Sequence, residues 1–171
     1  FDLVVAWQSN VPLNILQAIS ESALNACSDG PLVSGQVEGV KIELIDAEYH
    51  PTESNDIAFK IASGMAVSRG LQQAGANIME PIMLVTIICP PEFTGDIIGD
   101  VNSKRGRIIE IRAQLLKQEL IAEIPLSELF GYSTRIRSLS QGRAVFTMEL
   151  KKYEKIPLQV QNNVLKKLRG Y

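Results

Sequence analysis

Gly95-Asp-Ile-Ile-Gly-Asp-Val-Asn-Ser-Lys-Arg-Gly106 and Phe130-Gly-Tyr-Ser-Thr-Arg-Ile-Arg-Ser-Leu-Ser-Gln-Gly142 are the two stretches whose reading decides the fold. Each is of helix length, and each reaches a glycine just after a basic or polar turn. A glycine past the last helical turn is a common stop signal, because it takes backbone angles that other residues resist. Each is followed by a strand-like apolar run, Arg107–Arg112 after the first and Ala144–Leu150 after the second. Working outward, Ile82–Cys89 is an apolar strand ahead of the first helix, which starts at Pro90-Pro-Glu-Phe93. Glu119–Ile124 is a further strand, separated from Arg107–Arg112 by the hairpin-length Ala113–Gln118. Pro125-Leu-Ser-Glu128 opens the second helix, with Ser127 as a candidate cap. Residues 80–157 therefore read strand–helix–strand–strand–helix–strand, the ferredoxin-like split pattern. It buries one sheet face under two helices and leaves the other free to meet a partner.

The upstream half carries a different pattern. Phe1–Trp7 is a short apolar run, read as a buried strand. Asn10 and Pro12 mark a helix start, a capping residue close to a proline in the first turn. Ile15, Leu16, Ile19, Ala23 and Leu24 recur at helical spacing, and Ser28-Asp-Gly-Pro31 closes that helix. Val40–Asp46 alternates apolar and charged residues, as a half-buried strand does. Ala47–Ser54 is a polar connection. Ser54, Asn55 or Asp56 caps a second helix running to Gly70 or Ala74, with Ile57, Phe59, Ile61, Ala62, Met65 and Ala66 as its apolar face. The first half is thus a two-layer α+β unit that lacks a strand or two at its start. Gly75-Ala-Asn77 is the linker, and Val160–Leu168 is amphipathic. The expected division is 1–79, 80–157 and a tail, 158–171, all of α+β class.

Composition bounds the chemistry. A hydrophobic content of 46% and a mean hydropathy of +0.08 describe a globular chain of 171 residues. No apolar run reaches the roughly 20 residues of a membrane span. Two cysteines, Cys27 and Cys89, are too few for a disulfide framework and suit a reducing compartment. With His50 as the only histidine they have no metal-ligand company. No Gly-x-x-x-x-Gly-Lys-Ser/Thr loop is present to cradle phosphates. No carboxylate is read as sitting within an apolar run that would raise its pKa. The opening, without initiator Met or signal pattern, reads as a piece of something larger.

Charge is uneven. Residues 1–79 hold three cations against nine acids, a net of −6, and residues 80–171 hold fourteen against ten, a net of +4. Lys104, Arg105 and Arg107 close the first helix of the second half, and Arg135 and Arg137 lie in the last turns of the second. Cations there complement the helix dipole; they equally form a basic surface for phosphates. His50 sits between Tyr49 and Pro51 in the polar loop, either a solvated loop histidine or one of an exposed aromatic pair that meets RNA.

Several segments point to a family. Glu80-Pro-Ile-Met83, Pro91 through Ile109, Ile124-Pro-Leu-Ser-Glu-Leu-Phe-Gly-Tyr132, Leu139-Ser-Gln-Gly-Arg143 and Phe146 through Pro157 closely resemble the C-terminal domain V of bacterial-type elongation factor G. Val11-Pro12, Gly30-Pro-Leu32, Tyr49-His50 and Ser54 through Ala66 are similar to its domain IV, which has a fold like domain 2 of ribosomal protein S5, here partly truncated. The Gly-Gly pair usual before Val-Pro is replaced by Gln8-Ser9-Asn10. The resemblance implies a monomeric, cytoplasmic or organellar translational GTPase that moves transfer RNA and messenger RNA through the ribosome. Domain IV would reach the decoding region, with His50 at its tip. Domain V would dock on ribosomal RNA at the large-subunit stalk base, through Asn102, Lys104, Arg105, Arg107, Arg135 and Arg137. GTP and magnesium would sit on a G domain outside this chain, leaving these residues without catalytic, cofactor or metal roles. A second elongation factor G acting in ribosome recycling, or a ribosome-protection factor, carries the same architecture.

Overall fold

The computed structural model describes residues 2–5 and 11–168. Phe1, Ala6, Trp7 and the expected cap Asn10 lie outside the described residues. The chain divides into two compact units, Phe1–Ile78 with Leu158–Tyr171, and Met79–Pro157. Both combine helices with a sheet, and the class is α+β.

In the first unit, strand β1 (Asp2–Val5) and strand β2 (Lys41–Leu44) form a parallel pair, with Asp2 opposite Lys41 and Val5 opposite Leu44. A parallel pair needs a long crossover, and helix α1 (Leu13–Cys27) supplies it. The Pro12 carbonyl accepts from the Ile15 and Leu16 N–H groups at 3.0 and 3.1 Å, which starts α1 without a side-chain cap. Ile15, Ala18, Ile19, Ala23 and Cys27 are buried at helical spacing. β2 is shorter than its alternation suggests, since Ile45 is already exposed.

Helix α2 (Asp56–Gln73) begins at Asn55, whose side-chain oxygen accepts from the Ala58 N–H at 2.8 Å. Its expected apolar face is wrong: Ile57, Ile61 and Met65 are exposed. Phe59 packs against Val11, Ile15 and Ile19 instead, and Leu71 is the residue of α2 that is fully buried. The reason is a close helix–helix approach. A Cβ on Gly64 would lie 3.0 Å from the Ser22 hydroxyl, and that hydroxyl donates to the Lys60 carbonyl. The small residue and the bare carbonyl set the rotation of α2, and the larger aliphatic side chains turn outward.

In the second unit, strand β3 (Met79–Cys89), helix α3 (Thr94–Ser103), strands β4 (Arg107–Ala113) and β5 (Gln118–Pro125), helix α4 (Tyr132–Leu139) and strand β6 (Val145–Lys155) follow the expected order. A 3-10 turn precedes each helix, at Pro91–Phe93 and Leu126–Glu128. The sheet order is β4-β5-β3-β6, with every neighbouring pair antiparallel. Val85 and Ile87 of β3, Leu120, Ala122 and Ile124 of β5, and Ile97 and Val101 of α3 are wholly buried. Tyr132 and Ile136 bring α4 onto the same core, and the Tyr132 ring meets Phe146 edge-on at 5.1 Å. Helix α5 (Leu158–Leu168) groups with the first unit, where its Gln161 side-chain oxygen accepts from the Ile78 N–H at 3.3 Å.

Both helices of the second unit end in the same way. The Gly106 N–H donates to the Val101 carbonyl at 2.9 Å, and the Gly142 N–H to the Arg137 carbonyl at 2.8 Å. These are Schellman closures. The residue before each glycine is left-handed, Arg105 at φ 55° and Gln141 at φ 52°, and at the second end Gly142 is left-handed as well, at φ 79°. Gly106 is required for a different reason. A Cβ there would sit 2.6 Å from both the carbonyl oxygen and a methyl carbon of Val101.

One carboxylate does lie inside an apolar run, against expectation. Glu123, between Ala122 and Ile124, is only 5% exposed. Its pKa falls rather than rises, to about 2, because Lys151 and then Arg107 hydrogen-bond its charged form against the cost of burial. The contacts are 2.6 Å from Lys151 and 2.8 Å from Arg107, with Lys152 at 3.4 Å. A β-bulge makes room for two lysines: Ile82 pairs with Lys152 and Met83 with Leu150, leaving Lys151 as the extra residue.

Stability measurements on three variants check this account. Gly106→Ala lowers the urea-unfolding free energy by roughly 2 kcal/mol through overpacking. Gly99→Ala, at an exposed position of α3 with nothing near its Cβ, raises it by roughly 0.5 kcal/mol. Glu123→Gln costs about 2 kcal/mol at pH 7 by removing charge-assisted bonds. A depressed pKa stabilises the fold above the ordinary carboxylate value of 4.5, and that contribution disappears as pH falls from there toward 2. The gap between native chain and Glu123→Gln therefore closes across that window.

Candidate nucleic-acid interface

The loop after β2 holds its backbone firmly around one residue. The His50 N–H donates to the Ser54 hydroxyl at 3.0 Å, and the His50 carbonyl accepts from the Glu53 and Ser54 N–H groups at 3.2 and 2.9 Å. The imidazole points outward and is 58% exposed, with Nε2 3.1 Å from a Glu48 carboxylate oxygen. Pro51 beside it is exposed. Tyr49 departs from the expected exposed pair. It is half-buried against Val11, Ile15 and Ile19, so it anchors the loop to α1 while His50 and Pro51 are presented. Packing on α1 thus divides these neighbours in sequence between anchor and tip.

The expected basic residues of the second unit also divide. Arg105 is committed to the fold. Two of its guanidinium nitrogens bond both oxygens of Glu80 at 2.7 and 3.0 Å, its Nε bonds Glu128 at 3.0 Å, and a further contact reaches the Ser127 hydroxyl at 3.1 Å. Those hydrogen bonds, with Glu80 the largest influence, hold it more firmly charged. They also offset the left-handed strain of its backbone, about 1 kcal/mol for a residue with a Cβ. Ser127 therefore accepts from Arg105 and does not cap the second helix.

Arg135 donates to Asp100 at 2.8 Å, joining α4 to α3. Its partner is buried, and the second Asp100 oxygen and the Tyr132 hydroxyl have no hydrogen-bond partner. Arg107 is mostly exposed but tied to Glu123. Lys104 lies over the Tyr132 ring, 5.9 Å from its centre. Asn102 and Arg137 are exposed. Among the described residues, Lys104 and Arg137 make no ion pair. The structure thus brings Lys104, Arg105 and the Leu126–Tyr132 segment together and leaves His50 in a separate unit.

Two groups escaped the sequence reading. Phe130 is 82% exposed although Leu129 and Tyr132 on either side are buried. Arg143 stacks over Phe93 at 4.6 Å and pairs with Glu92. Phe130 was visible only as one more apolar residue, because nothing in the local sequence says which of Leu129, Phe130 and Tyr132 turns outward.

Little here suits covalent chemistry. Burial pushes both the Cys27 and Cys89 thiols up, which disfavours the reactive thiolate. Among the described residues no cluster of histidine, cysteine or carboxylate groups could hold a metal ion. No helix among them is long and apolar enough to cross a membrane.

Comparisons with known proteins agree with this geometry. The family described as elongation factor G, domain IV, matches residues 3–75, and that described as elongation factor G C-terminus matches residues 77–164. Elongation factor G 2 of Desulfotalea psychrophila is 37% identical over 163 residues, covering 95% of this chain and 24% of its own length. Elongation factor G of Salinibacter ruber is 39% identical over 155 residues, covering 91% of this chain and 22% of its own. A crystal structure from Thermus thermophilus superposes with a TM-score of 0.86 at 26% identity, over 99% of this chain and 26% of that one. The chain spans about a quarter of the length of these relatives. With domain IV and C-terminal matches following one another along nearly the whole sequence, the chain belongs to the elongation factor G family.

Proposed function

We propose that this chain is the ribosome-binding C-terminal part of a translational GTPase that promotes GTP-dependent translocation of transfer RNA and messenger RNA. The observation that carries the proposal is the tandem of domain IV and C-terminal matches, 3–75 then 77–164. His50 supports it: an exposed imidazole on a backbone pinned by Ser54 is built to present one side chain to a partner. In this reading the acidic stretch 1–79, with a net of −6, stays clear of bulk RNA by charge repulsion. Its His50–Pro51 tip enters the decoding region, where it blocks the messenger–transfer RNA duplex from slipping back. The second unit docks on ribosomal RNA at the stalk base through Asn102, Lys104, Arg137 and the exposed sides of Arg107 and Arg135. Arg105 leaves this set, since its fork is occupied inside the protein. Tyr49 serves as anchor for the tip. GTP hydrolysis falls to a domain outside this sequence, and the residues here act by position and charge, without acid–base chemistry.

A second reading has one observation in its favour. A relative sharing 37% identity is named elongation factor G 2, and a second factor of this kind acting in ribosome recycling would use the same contacts. Single-round translocation and subunit splitting with recycling factor, assayed on the full-length protein, separate the two.

His50→Ala in the full-length factor slows single-round translocation by roughly tenfold or more, about 1.4 kcal/mol of barrier, and leaves ribosome-stimulated GTP hydrolysis nearly intact. Parallel loss of both activities would contradict the tip role.

A further inference from the structure

We infer that the two turns joined by Arg105 form a built contact for an unpaired RNA base, with the Phe130 ring as stacking platform and the Lys104 ammonium as its phosphate partner. The inference rests on the proposed ribosome contact and narrows it to one nucleotide and two side chains.

Phe130 is held outward. Leu129 is 6% exposed and Tyr132 2% exposed, so the chain on both sides of the ring is locked in the core. Gly131 between them takes φ 74°, a left-handed angle that turns the chain sharply into α4. A large apolar ring presented this way has lost its backbone freedom before any partner arrives, which favours binding. Lys104 is positioned by the same elements. Its ammonium lies over the Tyr132 ring, 5.9 Å from the centre, and the adjacent Arg105 bonds Ser127 and Glu128. Arg105 thereby ties the turn that carries Lys104 to the turn that leads into Phe130. It is a positioning residue for this contact.

The charge around the ring selects the partner. Helix α4, Tyr132–Leu139, contains Arg135 and Arg137 and no acid. Glu128, the nearest acid in sequence, is neutralised by Arg105. Lys104 and Arg137 make no ion pair among the described residues. An exposed aromatic ring on a turn that Arg105 ties to the turn carrying Lys104 fits a nucleotide, whose base stacks on the ring while its phosphate meets an ammonium. A purely apolar protein partner would leave those cations desolvated and unmatched.

The test uses the full-length factor and purified ribosomes. Binding is measured across a salt series for the native protein, Phe130→Ala, Phe130→Leu, Phe130→Tyr and Lys104→Ala, and accessibility of unpaired ribosomal RNA bases is mapped with a base-specific methylating reagent. Phe130→Ala and Phe130→Leu weaken binding by about tenfold, as expected for one lost base stack. Phe130→Tyr stays within roughly twofold of native, and Lys104→Ala lowers the salt slope by about 1. The native factor shields at least one unpaired base that Phe130→Ala leaves reactive. Thermal melting of every Phe130 variant stays at the native value, since the ring is outside the core. If native protein binds and Phe130→Leu binds equally well, or no base loses its shielding in Phe130→Ala, the stacking contact is overturned and the ribosome reading stands. If native protein does not bind ribosomes, the ribosome reading falls and this inference falls with it.

Discussion

The close approach of Gly106 to Val101 is the constraint on which the second unit's surface depends. With no Cβ at 106, the chain closes the end of α3 within hydrogen-bond distance and turns at once into β4. That closure forces the preceding residue into the left-handed region, where Arg105 sits. In that conformation its guanidinium reaches Glu80 at the start of β3 and the 3-10 turn at Leu126–Glu128. Lys104 is carried over Tyr132, and Phe130 is left outside. One missing methyl thus connects the core of the sheet to the side chains that a partner would meet.

The cations of this unit do two kinds of work, and their surroundings decide which. Arg105 meets Glu80 and Lys151 meets Glu123, carboxylates largely shielded from water, where bidentate or short charge-assisted bonds hold segments in register. Exposed pairs such as Arg112 with Glu110 contribute little, because water screens them. Lys104 and Arg137 make no ion pair among the described residues. Glu123 is the extreme case: an ionised carboxylate buried in a β-strand, stable there because the β6 bulge delivers Lys151 beside Lys152.

Much of this was legible in the sequence, where periodicity carries strong signals. The βαββαβ order follows from alternating apolar runs and two glycine-terminated helices, and local spacing reveals it. What could not be read are choices made by contacts distant in sequence. Ile57, Ile61 and Met65 have the spacing of a buried face, yet Gly64 against Ser22 turns them outward. Tyr49 and His50 look alike as a loop pair, yet packing on Ile15 and Ile19 separates them. Arg105 reads as a free cation until Glu80, 25 residues earlier, is seen to hold it. Glu123 was missed because a bulge on β6, invisible in the strand's own sequence, supplies its partners.

The central claim is that both units present pinned side chains, His50 in one and Phe130 with Lys104 in the other, to ribosomal and ribosome-bound RNA. The most direct measurement is an electron cryomicroscopy structure of the full-length factor on a ribosome carrying transfer and messenger RNA. The account predicts the His50 loop against the messenger–transfer RNA duplex and the Phe130 ring within stacking distance of an unpaired ribosomal RNA base. A structure in which both turns face solvent, with the ribosome contacting the open face of the β4-β5-β3-β6 sheet instead, would contradict it.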